Sequence, residues 1–375
     1  MHLCRTFICF LCLLVFLPGV SSAKDNETDA SIWDTIRLRG RAIFRYELRE
    51  REKFDGFSDE FELDRARFDL RFKPTDDLRL MLEMELTSGV ELKDAYARYD
   101  LHRAFRVQLG HFKKPFSALR MSSRWDLLVP RRGLIDDHVI GGSDFGGFGG
   151  RDAGLQVFGR LGKRKNVRFS YALGLFDGWE LSDAFFRDPG DPNDENASHR
   201  DYVGRLQVDF LKMVTVGVSY NHKVARIAYA PGVEQVRSFN AISADVAFVL
   251  AGLTLQLEGI WGTNPNAAAG HAMMGGHAIL AYHIPILDLF VLTPAFMGEV
   301  LDPDDDVEGK HAVRLVGALN FDIGKYTRVV LSAEGGMGEL VWIQPEYSNW
   351  DQPDAVESAP RKVDTRVMLQ LQLRL

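Results

Sequence analysis

The chain has 375 residues and three cysteines, and all three (Cys4, Cys9 and Cys12) lie in the first twelve residues. The rest has no thiol, which excludes a disulfide framework, thiolate metal ligation and a cysteine nucleophile there. Long apolar runs are also missing beyond the N-terminus. The best candidate, Ile284–Val300, is interrupted by Pro285, Asp288 and Pro294 and does not read as a membrane-crossing helix. A surplus of positive charge is lacking too: 45 basic against 52 acidic residues give a formal charge of −7, which argues against nucleic acid as a partner. If this chain crosses a membrane, it must do so as a closed barrel, because only that leaves no strand edge unpaired in lipid.

The N-terminus has a charge at Arg5, an apolar stretch from Phe7 to Leu17, then Pro18-Gly19 and Ser21-Ser22-Ala23. This is the pattern of a secretory signal peptide over residues 1–23, with small residues before the cleavage point. None of the cysteines follows the small residues that a lipoprotein site needs. Export of a cysteine-free mature chain, 24–375, fits a bacterial envelope protein.

What the chain does have is alternation. Arg37, Arg39, Arg41, Arg45 and Glu47 interleave with Ile36, Leu38, Ala42, Phe44, Tyr46 and Leu48; Arg65, Arg67, Asp69 and Arg71 interleave with Ala66, Phe68, Leu70 and Phe72. Successive strand side chains point to opposite faces, so each segment has one apolar and one charged face. A soluble sandwich would turn the apolar face inward, and a membrane barrel would turn it onto lipid. Similar segments recur to Thr365–Leu375, making about sixteen strands of roughly nine to eleven residues, the length a tilted strand needs to cross a bilayer. Their connections alternate between short and long. Pro74–Asp77, His102–Ala104, Gly162–Asn166, Leu211–Met213 and Ala251–Gly252 are short, whereas Arg49–Glu62, Lys113–Ala153, Asp177–Asp201, His222–Phe239 and Gly336–Asp364 are long or variable. Only Thr87–Glu91 is short where a long one is due. Short turns at one rim and long loops at the other indicate an all-β fold: a transmembrane antiparallel up-and-down β-barrel in the bacterial outer membrane. On the first strands, charges fall on the apolar parity only at Glu62 and Asp64, which the pattern places at the rim.

Three runs resemble the phosphate-selective porin O and P family: Val90-Glu91-Leu92-Lys93-Asp94-Ala95-Tyr96-Ala97-Arg98-Tyr99, Val107 to Ser117 (VQLGHFKKPFS), and Gly150 to Val157 (GRDAGLQV). The resemblance implies a sixteen-stranded homotrimeric porin in outer-membrane lipid. It further implies an arginine ladder that feeds small anions such as phosphate past a constriction, and a long loop, 113–153, folded into the pore. The chain departs from the family in ending at Leu375 rather than in an aromatic residue.

Arginine suits anion passage because its guanidinium stays protonated and grips phosphate bidentately. The pore-lining candidates are Arg37, Arg39, Arg41, Arg45, Arg65, Arg67, Arg71 and Arg79. Lys113, Lys114, Arg120, Arg124, Arg131 and Arg132 are the candidates on the loop. These cations have two readings. They form a free anion path, or they pair with lumenal carboxylates (Glu47, Asp69, Glu83, Glu85, Asp94, Asp100) in a general, weakly selective pore. A structural or adhesive barrel with an occluded lumen is a third alternative. The glycine-rich run 141–150 lacks the spacing of a phosphate-cradling loop, and Asp302 to Glu308 lacks the EF-hand pattern. His271, His277 and His283 do not have metal-ligand spacing. No catalytic group, metal site or cofactor is expected.

Overall fold

The computed structural model describes residues 35–50, 56–141, 147–178, 200–230, 233–264, 271–286, 290–341, 343–346, 354–357, 361–362 and 365–374. The segment expected as a signal peptide, residues 1–23, lies outside them. Sixteen long strands form the wall. They are β1 (Ile36–Glu50), β2 (Phe57–Phe72), β3 (Leu78–Glu85), β4 (Glu91–His102), β5 (Phe105–Lys113), β6 (Arg151–Gly162), β7 (Val167–Phe176) and β8 (Arg200–Phe210). The second half comprises β9 (Val214–Ala230), β10 (Val233–Leu250), β11 (Leu253–Thr263), β12 (Ala272–Tyr282), β13 (Phe290–Asp302), β14 (Ala312–Ile323), β15 (Thr327–Leu340) and β16 (Arg366–Arg374). Each pairs antiparallel with its neighbours, and β16 returns to β1 through Arg41↔Arg374 to Arg49↔Arg366, which closes the barrel.

The barrel is inside out relative to a soluble protein. Leu38, Leu109, Leu155, Leu173, Leu257, Leu280 and Leu369 are exposed on the outer face, while Asp69, Glu83, Glu85, Asp245, Glu299 and Glu334 are buried within. Burying carboxylates while exposing leucines is favourable only where lipid replaces water outside. Tyr99, Tyr202, Phe210 and Tyr220 are exposed near strand ends, as interfacial aromatics are.

Two segments expected as loops are largely strand. β1 and β2 continue as a hairpin to Glu50↔Phe57, and β9 and β10 pair as far as Ala230↔Val233. β2 runs beyond β3, and β9 and β10 run beyond the strands beside them, where pairing needs no apolar alternation. The charges at Glu62 and Asp64 also have a different origin from the rim placement. A bulge shifts the β1–β2 register, so that Ile43 faces Arg65 while Phe44 faces Leu63. The extra residue, Asp64, reverses the parity of the residues before it relative to Arg65–Arg71, and Glu62 consequently sits opposite Arg45 on the lumenal face.

Candidate permeation site

The described residues of the segment between β5 and β6, 114–141 and 147–150, fold into the lumen and lie along the far wall. Its polar anchors include contacts to five strands of that wall. Glu258 on β11 accepts the N–H groups of Ala118 (3.2 Å) and Leu119 (3.1 Å), and Glu299 on β13 accepts that of Leu134 (2.9 Å). Asn320 on β14 donates to the Leu128 carbonyl (2.9 Å), Arg328 on β15 to those of Trp125 and Leu127 (both 3.1 Å), and Asn221 on β9 to that of Phe148 (2.7 Å). Apolar contacts add to these. Leu119, Leu127 and Val129 pack on Ile279, Ala281, Ala295, Met297, Val316, Ala318 and Val330, an apolar area on the inner face of β12–β15. A second cluster seats Phe116, Ile140 and Phe148 against Phe112 and Phe176. Phe176 lies in space left by Gly154 and Gly174, where added Cβ atoms would come within 2.4 and 2.5 Å of its ring.

The opposite wall, β1–β7, carries the charge. Between it and the loop lies a cavity of about 760 Å³, around which basic side chains outnumber acidic ones. Of the strand arginines expected in the pore, Arg41, Arg65, Arg67 and Arg71 line this cavity; from the loop, Lys113, Arg120, Arg124 and Arg132 do so. Arg37 is exposed at the start of β1 and makes no ion pair among the described residues. Arg39 pairs with Asp69 (3.3 Å) and Arg79 with Asp100 (3.0 Å), both outside the cavity lining. Arg45 is taken up by Glu47, Glu62 and Asp64.

Lys114 corrects the expectation for the loop: it turns away from the cavity, is fully buried and pairs with Asp201 (2.8 Å), which also holds Lys223. The lysine is too apolar in its surroundings to be left uncompensated, so the paired carboxylate fixes the base of the loop. Arg131 also lies outside the cavity lining and bridges Asp137 (2.8 Å) and Glu334 (3.8 Å). Burial pushes the Asp137 carboxyl up, but Arg131 together with Arg314 and Arg124 outweighs that and holds it below the ordinary carboxylate range.

The charged wall is mostly a lattice in which one carboxylate serves several guanidiniums. Asp69 meets Arg39, Arg41 (2.6 Å) and Arg71 (3.1 Å); Glu83 meets Arg41 (3.7 Å), Arg67 (2.8 Å) and Arg151 (3.4 Å). Asp100 meets Arg79, Arg98 and Arg106, and Asp64 meets Arg45, Arg65 and Arg124 of the loop. Lys113 and Arg132 differ. Lys113 Nζ donates to the carbonyls of Arg120 (2.8 Å) and Ser122 (3.5 Å), and Arg132 donates to those of Leu119 (3.1 Å) and Ser122 (2.7 Å). Neither has a carboxylate partner among the described residues.

Lys93, Arg98, Arg151, Arg160 and Arg205 also line the cavity and were not among the sequence candidates. Arg98 and Arg160 sit on the charged parity of their strands, so the alternation carried the signal. Lys93 lies at a β3–β4 register shift that no alternation reveals.

The same fold occurs in an anion-selective porin from Comamonas acidovorans (TM-score 0.60, 10% identity, covering 91% of this chain and 99% of that one). It occurs too in the outer membrane channel DcaP of Acinetobacter baumannii (TM-score 0.57, 11% identity, 91% and 97%). A third match is the trimer form of OmpT from Vibrio cholerae (TM-score 0.56, 10% identity, 91% and 99%). No curated protein sequence matches the chain. The model of the phosphate-selective porin O and P family matches residues 36–282. With that match spanning more than half of its length, the chain belongs to the phosphate-selective porin O and P family, as a porin of the bacterial outer membrane.

Proposed function

We propose that this porin passes small hydrophilic solutes by diffusion and favours anions, phosphate among them, with the 114–150 loop as the constriction. The observation that carries this reading is Arg132. It lines the cavity and spends its donors on the backbone carbonyls of Leu119 and Ser122 rather than on a carboxylate. A carbonyl offers only a partial charge, so this guanidinium, which stays protonated, keeps most of its field for a passing anion. Low-dielectric walls concentrate that field along the path. The strand arginines contribute a background more than a set of free sites, since those in the cavity share carboxylates. The anion-selective porin of the same fold supports the reading, and the trimeric form of a second relative supports assembly as a homotrimer.

The carboxylate lattice favours a second reading, a weakly selective pore in which the wall is close to neutral. Reversal potential across a planar bilayer under a potassium chloride gradient separates the two. Anion preference that falls on Arg132→Ala, and less on Arg37→Ala, supports the first. A cation-selective channel, or equal effects of the two substitutions, rejects it.

A further inference from the structure

In the charged wall the acids lie underneath and the bases on top. Asp69 is 1% exposed, while the side chains of Arg39 and Arg71 that grip it are 43% and 45% exposed. Glu83 is 5% exposed beneath Arg41, Arg67 and Arg151. A carboxylate accepts about four hydrogen bonds and each guanidinium offers about five N–H donors, so three arginines on one acid leave most donors unspent. Those donors face the lumen. A solute anion arriving there competes with a carboxylate that is already bound, already desolvated and fixed to the wall.

We propose that Asp69 and Glu83 act as built-in release ligands. Each lends its arginines to a passing oxyanion and reclaims them, and this speeds departure from the wall. Permeation needs sites that bind well enough for entry and weakly enough for exit, and an internal competitor supplies the second condition without giving up the arginines. The proposal rests on the anion-favouring reading above. It names Asp69 and Glu83 as residues that set solute release, a role distinct from neutralising the lumen.

The test is block of chloride current by inorganic phosphate in planar bilayers. Asp69→Asn and Glu83→Gln keep the shape of each side chain and remove the competing charge. Each is expected to lower the half-blocking phosphate concentration roughly tenfold, the worth of one charge-assisted hydrogen bond, and to reduce current at saturating phosphate. Arg39→Gln, which leaves Asp69 with fewer guanidiniums, is expected to raise the half-blocking concentration. Asp126→Asn, on the exposed Asp126–Arg374 pair, controls for the added positive charge and is expected to change little. If Asp69→Asn fails to assemble, Glu83→Gln and Arg39→Gln decide the matter. Unchanged or weaker phosphate block in the Asp69 and Glu83 variants, or an effect matched by Asp126→Asn, overturns the release role alone. Absence of anion preference in the unaltered protein overturns the reading beneath it as well.

Discussion

Leu119 of the inserted loop donates its backbone N–H to Glu258 on β11, 3.1 Å away, and the same carboxylate takes Ala118 N–H at 3.2 Å and the Ser243 hydroxyl at 2.6 Å. One buried acid thus holds the turn at which the loop begins its course along the far wall. Glu258→Ala leaves two backbone donors unsatisfied at a cost of about 1–3 kcal/mol each, while the strand pairing of the barrel is untouched. The expected outcome is a folded barrel with a loosened loop, seen as larger current fluctuations in single-channel recordings. Quiet, unaltered channels would show that the apolar contacts of Leu119, Leu127 and Val129 suffice.

Gly154 supports the other end of the loop, because its missing side chain is what admits the Phe176 ring on which the second cluster is built. Gly154→Val places carbon where that ring stands, and overpacking of this kind costs about 1–3 kcal/mol. Displacement of Phe112 and Phe148 should follow, since Phe112 and Phe176 meet edge to face at 5.3 Å. A lower thermal midpoint together with altered conductance is expected; a lower midpoint with native conductance would separate the platform from the position of the loop.

How much of this was legible in the sequence follows from where period two holds. Over β1–β7 the outer face is apolar and the inner face charged, so the strands, their number and the lumenal arginines can all be read from alternation. Over β12–β15 it weakens, because Ile279, Ala281, Met297 and Val316 are apolar on the inner face as well. Those residues meet the loop, a partner far away in sequence that no local pattern announces. Their doubly apolar strands were the available sign that something covers the wall. The pairing of the arginines lies further out of reach, since it depends on register: the bulge at Asp64 brings Glu62 to Arg45 where strict alternation separates them. Lys114 shows the same limit, being adjacent to Lys113 yet turned to the opposite environment by the chain's entry into the loop.

The Arg131–Asp137 pair makes a prediction about acid. Burial raises the Asp137 carboxyl, but the combined attraction of Arg131, Arg314 and Arg124 exceeds it and leaves the pKa below its ordinary value of about 3.9. A carboxyl whose folded pKa is depressed contributes stability that is fully present above the unfolded pKa and is lost as pH falls through the folded one. The clamp should therefore persist from neutral pH down to about 4 and fail only below that range. Single-channel recordings at stepwise lower pH are expected to stay quiet until then. Asp137→Asn should reproduce the acid behaviour at neutral pH; loss of quiet recordings near pH 6 in the unaltered protein would point to a different titrating group.

Adjacent residues on β5 test the facing of the wall most directly. Leu109 is 60% exposed on the outer surface between Ala97 and Leu155, whereas Gln108 is buried and lines the cavity. Leu109→Arg puts a guanidinium into hydrocarbon near mid-strand, at a cost of about 2–4 kcal/mol in a transmembrane barrel. Gln108→Arg sends the same side chain into the lumen, where water reaches it and Glu83 and Asp94 line the same cavity. Unfolding by urea in lipid vesicles should therefore show a large loss for Leu109→Arg and a small one for Gln108→Arg. The reversal potential should move toward anions in Gln108→Arg only. A reversed order of stabilities would turn the barrel wall around and remove the arginines from the pore.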